Sequence, residues 1–430
     1  MEVLKFAKGH WLFVLPLANF AIFYTGQNVL GLLWASPDLV LTFVGALTLS
    51  VASYIIAYLL IPVEWAGLML RAEWPPKALG WLCLAILAGF ILVMALACIT
   101  AEHIPVIEAF KGAPSDQLFG DRNNFLRERV GPGQLLNYTH AILTQGLMPF
   151  ALTYAFYARL HWRFWALGLL AMALATTLAK SAFIAIALPL IALFIMQKRW
   201  RSAAATFAGF VASIALMSVL ASGVVGAWIA KAEGQKVAVG QVELPADTPA
   251  QYNAFGERNA VALLTNRVVW IPYATALDWF RYQRERLGGG YVMGRSIRPV
   301  AMLMGRERLH LEKEVAALQW GLSAGTTSNA VFFADAWLNW GVLGVIIYSA
   351  FFAWTIRMIE TTEFQPLLAA AALPVWLACV SALTPVYFSG GLGFLLLSAM
   401  TLRAPAVALQ VAERRRAAPI GPEERDNAPA

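Results

Sequence analysis

Long apolar runs separated by short basic turns dominate the chain and set its organisation. A helix needs about 20 mostly apolar residues to cross roughly 30 Å of hydrocarbon. The pattern supplies ten such runs: 11–34, 39–61, 78–100, 136–158, 164–179, 182–197, 203–228, 328–353, 366–386 and 389–403. The fifth, sixth and tenth are the shortest. Unbroken apolar stretches predict helices rather than barrel strands, because a backbone crossing lipid must close its own hydrogen bonds. The expected fold is an all-α polytopic membrane protein of about 10 transmembrane helices.

Basic residues fall in every second connection. Lys5, Lys8, Arg71, Lys77, Arg159, Arg163, Lys198, Arg199, Arg201, Arg357 and Arg403 share one side, whereas the turns near Pro37 and Gly390 carry no Lys or Arg. That bias places both termini in the cytoplasm. Lys5 and Lys8 precede an apolar run too long for a cleaved signal, with no A-x-A site after it, so it reads as an uncleaved first helix. Two long segments, 101–135 and 229–327, then fall on the periplasmic side. Residues 1–404 read as the transmembrane domain that carries these loops. Residues 405–430, with Pro419, Gly421 and Pro422, read as a disordered cytoplasmic tail. Within the larger loop, 231–252 is polar and irregular, 258–286 is helical with a break at Pro272, and Gly288–Gly290 form a joint. A further helix over 306–320 puts Leu311, Val315 and Leu318 on one stripe.

Composition sharpens this picture. The 430 residues are 60% hydrophobic and 13% charged, with a mean hydropathy of +0.64, against about 25% charged in soluble domains. The formal charge of +7 is explained by basic loops, not by nucleic-acid binding. All three cysteines lie in apolar runs, which excludes a disulfide framework or a thiolate metal site. There is no Walker loop, dinucleotide fingerprint, CxxC or HExxH.

The polar chemistry concentrates in the larger loop. Ten of its twelve basic residues lie from Arg258 to Lys313, and nine of those ten are arginines. Guanidinium forks bind phosphate oxygens in pairs, so an arginine-rich face beside the bilayer suits an anionic, lipid-linked substrate. The alternative is pairing with loop carboxylates such as Glu257, Asp278, Glu285 and Glu312, or contact with lipid head groups. Lys180 sits at a tight outward turn, where it either meets a phosphate or faces water. Asn329, Asp335 and Asn339 open a span. A carboxylate there is expensive unless paired, so Asp335 is either catalytic or the structural partner of a loop arginine, with Ser328 or Asn329 as helix cap. His103, His140 and His310 are the imidazoles facing the same side.

Three passages carry a resemblance: Asn266-Arg267-Val-Val-Trp-Ile-Pro272, then Tyr291-Val-Met-Gly-Arg295-Ser296, then Ser328-Asn329 followed by Ala334-Asp335, Asn339-Trp340-Gly341 and Gly344. Over about residues 258–350 the chain resembles the Wzy-type oligosaccharide repeat-unit polymerases of O-antigen, capsule and exopolysaccharide synthesis. It departs from them at Trp340, where Phe is commoner, and at Trp337, which replaces a smaller residue.

The resemblance implies a glycosyltransferase of the bacterial inner membrane. It would polymerise undecaprenyl-pyrophosphate-linked oligosaccharide on the periplasmic face, without metal or other cofactor, alongside a chain-length co-polymerase. Arg267 and Arg295 would hold the donor pyrophosphate, with Asp335 as base or as the residue orienting one of them. Arg298, Asn329, Asn339, Arg258 and Lys180 would complete substrate binding. Two rival readings are an O-antigen ligase, which shares the leaving group, and a lipid-linked glycan flippase. The nearly charge-free spans favour chemistry at the surface over translocation.

Overall fold

The computed structural model describes residues 9–62, 72–127, 129–131, 133–222, 252, 254–256, 262, 265–320, 328 and 330–403. Each of the ten apolar runs coincides with helix. Five helices are long and apolar enough to cross a membrane: Trp11–Gly31, Pro37–Leu60, Pro76–Ile99, Trp200–Ala221 and Phe332–Glu360. Arg163–Ala175, Lys180–Met196, Gln365–Ala378 and Leu392–Thr401 are apolar but shorter. The helical stretch 133–157 carries Gln134, Asn137, His140 and Gln145. Among the described residues, then, five helices reach the length a bilayer demands, where the sequence pattern predicts ten spans.

The difference has a physical source in the ninth run, which splits into Gln365–Ala378 and Leu383–Phe388. The first piece is enclosed by protein, with Ala369 to Ala372 all buried, and a helix shielded from lipid can be short or broken. The described residues are otherwise helix and turn, apart from one parallel pairing of Ala72 with Leu402 and Glu73 with Arg403.

The helices Pro37–Leu60 and Phe332–Glu360 pack along their length, and Ser50 and Ser349 meet between them, their hydroxyls 2.9 Å apart. At one end of this pair, His10 Nδ1 lies 2.7 Å from the Tyr58 hydroxyl and 3.2 Å from Glu360 Oε2. Tyr58 donates to the same carboxylate, and the Phe13 N–H donates to Oε1 at 3.1 Å. Arg357 donates to the Tyr58 hydroxyl at 3.1 Å and lies over its ring. Phe364 packs nearby against Tyr154 and Tyr157, which brings the basic turn at 159–163 to this end.

The loops gather at the opposite end. Helix Ile271–Arg286 crosses the start of Pro37–Leu60, with Phe43 edge-on to Tyr273 and Phe280. Arg284 donates to Ser36 Oγ at 3.1 Å. Pro272 opens this helix instead of breaking it, since a first-turn residue has no helical partner for its N–H. The amphipathic helix is Leu311–Trp320. It starts later than the pattern predicts because the Leu309 N–H is drawn to the Arg295 carbonyl. Its stripe faces inward, with Leu311 and Val315 buried. The shorter loop folds as Pro105–Lys111 and Ser115–Arg122, and its Leu118 packs with Phe183, Met217 and Leu220. Arg258, Asn329, residues 231–251 and the tail 405–430 lie outside the described residues.

Candidate functional site

The second and third family-like passages form one unit. Helix Phe332–Glu360 is broken at Trp340 (φ −143°, ψ 18°) and Gly341 (φ 60°, ψ −140°), and a side chain at 341 would be strained and would strike Tyr291. The chain folds back so tightly that a Cβ at Gly344 would lie 2.3 Å from the Ala336 carbonyl oxygen. The break frees carbonyls that the 291–296 passage takes up: the Val292 N–H donates to Leu338 O at 2.9 Å and the Met293 N–H to Asn339 O at 3.0 Å. Ser296 Oγ donates to Asn339 Oδ1 at 2.9 Å, and Asn339 Nδ2 donates to Asp335 Oδ1 at 3.0 Å. Asp335 is 3% exposed. No arginine donates to it among the described residues, and Val331, not Ser328 or Asn329, caps the helix.

This unit sets the position of Arg295. Its half-buried guanidinium has a buried Nε with no partner, and it acts with Arg286 on the Tyr282 hydroxyl. Arg298 begins helix Arg298–Leu303 and is exposed, while Arg295 stays in the turn before it. Arg308 is instead engaged, donating to Ser296 O at 2.8 Å and lying 3.5 Å from Glu312.

Arg267 belongs to a different group. It is exposed on the π-turn Asn266–Trp270, and its charge and that of Arg122 act on half-buried Lys180. Charges from two other segments thus reach Lys180. Neither Lys180 nor Arg267 forms an ion pair among the described residues. The sequence singles out Lys180 and Arg267, but nothing in the polar surroundings of Arg122 marks it.

A cavity of about 440 Å³ adjoins the same turn, lined by Trp34, Ser36, Tyr252, Trp270, Asp278 and Arg284 among others. Asp278 is 7% exposed. Tyr252 and Gln319 both donate to its Oδ2, Gln319 at 3.1 Å, which leaves Oδ1 without a partner among the described residues. Burial pushes the Asp278 carboxyl up to about 6, against the opposing pull of those hydrogen bonds and of Arg281. Tyr273, also in the wall, buries a hydroxyl with no partner. The sequence reading takes Asp278 only as a partner for an arginine. The overlooked signal is a lone carboxylate inside the apolar stretch Ala274–Phe280. Arg281, the nearest such arginine, pairs with Glu285 at 2.7 Å. No cluster of potential metal ligands occurs among the described residues.

No family model, curated protein or solved structure matches the chain.

Proposed function

We propose that the chain is an inner-membrane glycosyltransferase that polymerises oligosaccharide repeat units carried on undecaprenyl pyrophosphate. It would work on the periplasmic side, with both termini cytoplasmic. The observation that carries this reading is that the charge of Arg267 acts on Lys180, while neither of the two forms an ion pair among the described residues. Like charges held together repel until an anion fills the space between them. Pyrophosphate suits such a site because its charge grows as it leaves. The bond from the sugar C1 to the phosphate oxygen breaks, with its electron pair going to the pyrophosphate. A hydroxyl oxygen of the acceptor bonds to C1, and the proton of that hydroxyl passes to a base. Fixed cations aimed at the departing charge supply the largest share of such catalysis.

Asp278 suits the base. Asp278 belongs to the cavity wall, and Arg267 shares one five-residue turn with the cavity residue Trp270. Asp335 suits a positioning role: it holds Asn339, and through Asn339 and Ser296 the passage that carries Arg295. Arg298 stands free at the surface for the substrate's outer phosphate or sugar.

The test is reconstitution of the purified chain in vesicles with undecaprenyl-pyrophosphate-linked repeat units, followed by gel laddering and release of undecaprenyl pyrophosphate. Wild type should ladder. Arg267→Ala and Lys180→Ala should each slow it by roughly 30- to 1000-fold, equivalent to about 2–4 kcal/mol. Wild-type ladders from both variants would remove the phosphate site. Transfer of finished polymer to a lipid A core without laddering would favour the ligase reading.

A further inference from the structure

A second cavity, also about 440 Å³, lies between the helices Arg163–Ala175, Ile184–Met196 and Trp200–Ala221 and reaches Phe183. Its wall is apolar, with Phe156, Phe164, Phe183, Phe194 and Phe210 among its residues. Two cations, Arg163 and Arg199, stand at one end, each held over a phenyl ring: Arg163 at 4.8 Å from the Phe164 centroid and Arg199 at 4.9 Å from that of Phe194. Neither forms an ion pair among the described residues, and no Asp or Glu occurs from 129 to 232. The helices Arg163–Ala175 and Trp200–Ala221 both begin at this end with no side-chain cap, so their N-termini add positive potential. Trp165 and Trp200 are exposed beside them, as suits side chains at the level of lipid head groups.

The dimensions match one leaflet. From Arg199 to Ser213, the groove follows 14 residues of chain along Trp200–Ala221, roughly 20 Å at 1.5 Å per residue. Half of the hydrocarbon core is about 15 Å. Trp200–Ala221 buries only Ala203, Met217 and Leu220, so one flank of the groove is open to the bilayer.

We infer that this groove is a binding site for an anionic phospholipid, whose phosphate lies between Arg163 and Arg199 and whose acyl chain runs along the phenyl rings toward Phe183. A zwitterionic lipid would fill the apolar part equally but would bring its own cation to the arginines. The inference is independent of glycosyl transfer: its two arginines stand at the opposite end of the bundle from the loops, and it uses none of the residues assigned to phosphate binding or proton transfer.

The experiment is native mass spectrometry of the full chain in detergent, titrated with dioleoyl phosphatidylglycerol or dioleoyl phosphatidylcholine. Wild type should retain phosphatidylglycerol selectively. The double variant Arg163→Gln/Arg199→Gln should weaken that binding about thirtyfold, at about fivefold for each arginine near a charged surface, and leave phosphatidylcholine unchanged. Gly209→Trp tests the apolar half and does not touch the arginines. Gly209 is exposed and a Cβ there meets nothing within 4 Å, so the indole should fill the groove without disturbing the fold and lower retention of phosphatidylglycerol. If the double variant does not fold, the Gly209→Trp result decides alone. Equal retention of the two lipids by wild type would overturn the site. So would unchanged phosphatidylglycerol binding in the variants, or stronger retention of undecaprenyl phosphate in competition.

Discussion

The two ends of the bundle treat charge in opposite ways. At the end that holds His10, the Glu360 carboxylate receives the Phe13 N–H and the Tyr58 hydroxyl and faces His10, while Arg357 caps the same tyrosine. Hydrogen bonds to one carboxylate tie the starts and ends of three helices together there. At the loop end, the charge of Arg267 acts on Lys180, and neither forms an ion pair among the described residues. Charges that balance within the protein serve the fold. Charges of one sign that act on one another, with no ion pair among the described residues, suit an anion that arrives from outside.

Three measurements can break that comparison. The largest expected effect is at Asp278, the carboxylate of the open end. Asp278→Asn should lower polymerisation by about 10²- to 10⁴-fold, the usual contribution of a general base. In wild type, the rate should rise as pH increases through about 6, where the group loses its proton. Stability should move the other way. The folded carboxyl binds its proton more tightly than the unfolded one, so burying the charge penalises the fold above about pH 6 and the penalty is relieved as pH falls below it. A flat pH–rate profile from 5 to 7 would remove Asp278 as the base.

The next effect lies at the closed end. Glu360→Ala removes the carboxylate that accepts from the Tyr58 hydroxyl and the Phe13 N–H and faces His10, and should cost ~3 kcal/mol of stability. Thermal unfolding in detergent should show the loss, while turnover per folded molecule stays near wild type. A fall in turnover with unchanged melting would reverse the assignment of the two ends.

The smallest effect tests chemistry rather than charge. Arg267→Lys keeps the cation but loses the planar fork, so it should recover only part of the activity lost in Arg267→Ala. Because Arg267 is exposed, neither variant should shift stability by more than about 0.5 kcal/mol. Full recovery by lysine would mean that position 267 needs only a point charge.

What the sequence determined by itself was set by local rules. Apolar runs place helices because lipid offers no backbone partners, and all ten runs coincide with helix in the structure. The turns near His10, Arg357 and Tyr157 gather at one end of the bundle. Arg267 and Arg295 stood out because each lies in a passage with a family resemblance, and Lys180 because it sits at a tight turn between two short apolar runs. Tertiary structure alone decided the rest. Gly341 breaks its helix, and the carbonyls freed there are met by a segment more than forty residues earlier. The same break withdraws Asp335 into the interior, a placement that its spacing from Asn339 could not foretell. Arg122 joins Lys180 only because the shorter loop folds onto the ends of the spans. Asp278 has its raised proton affinity only because the packing of the fold buries it, against the hydrogen bonds from Tyr252 and Gln319. Proton affinity and mutual repulsion depend on distance and burial across the fold, and neither quantity is written in the spacing of residues along one chain.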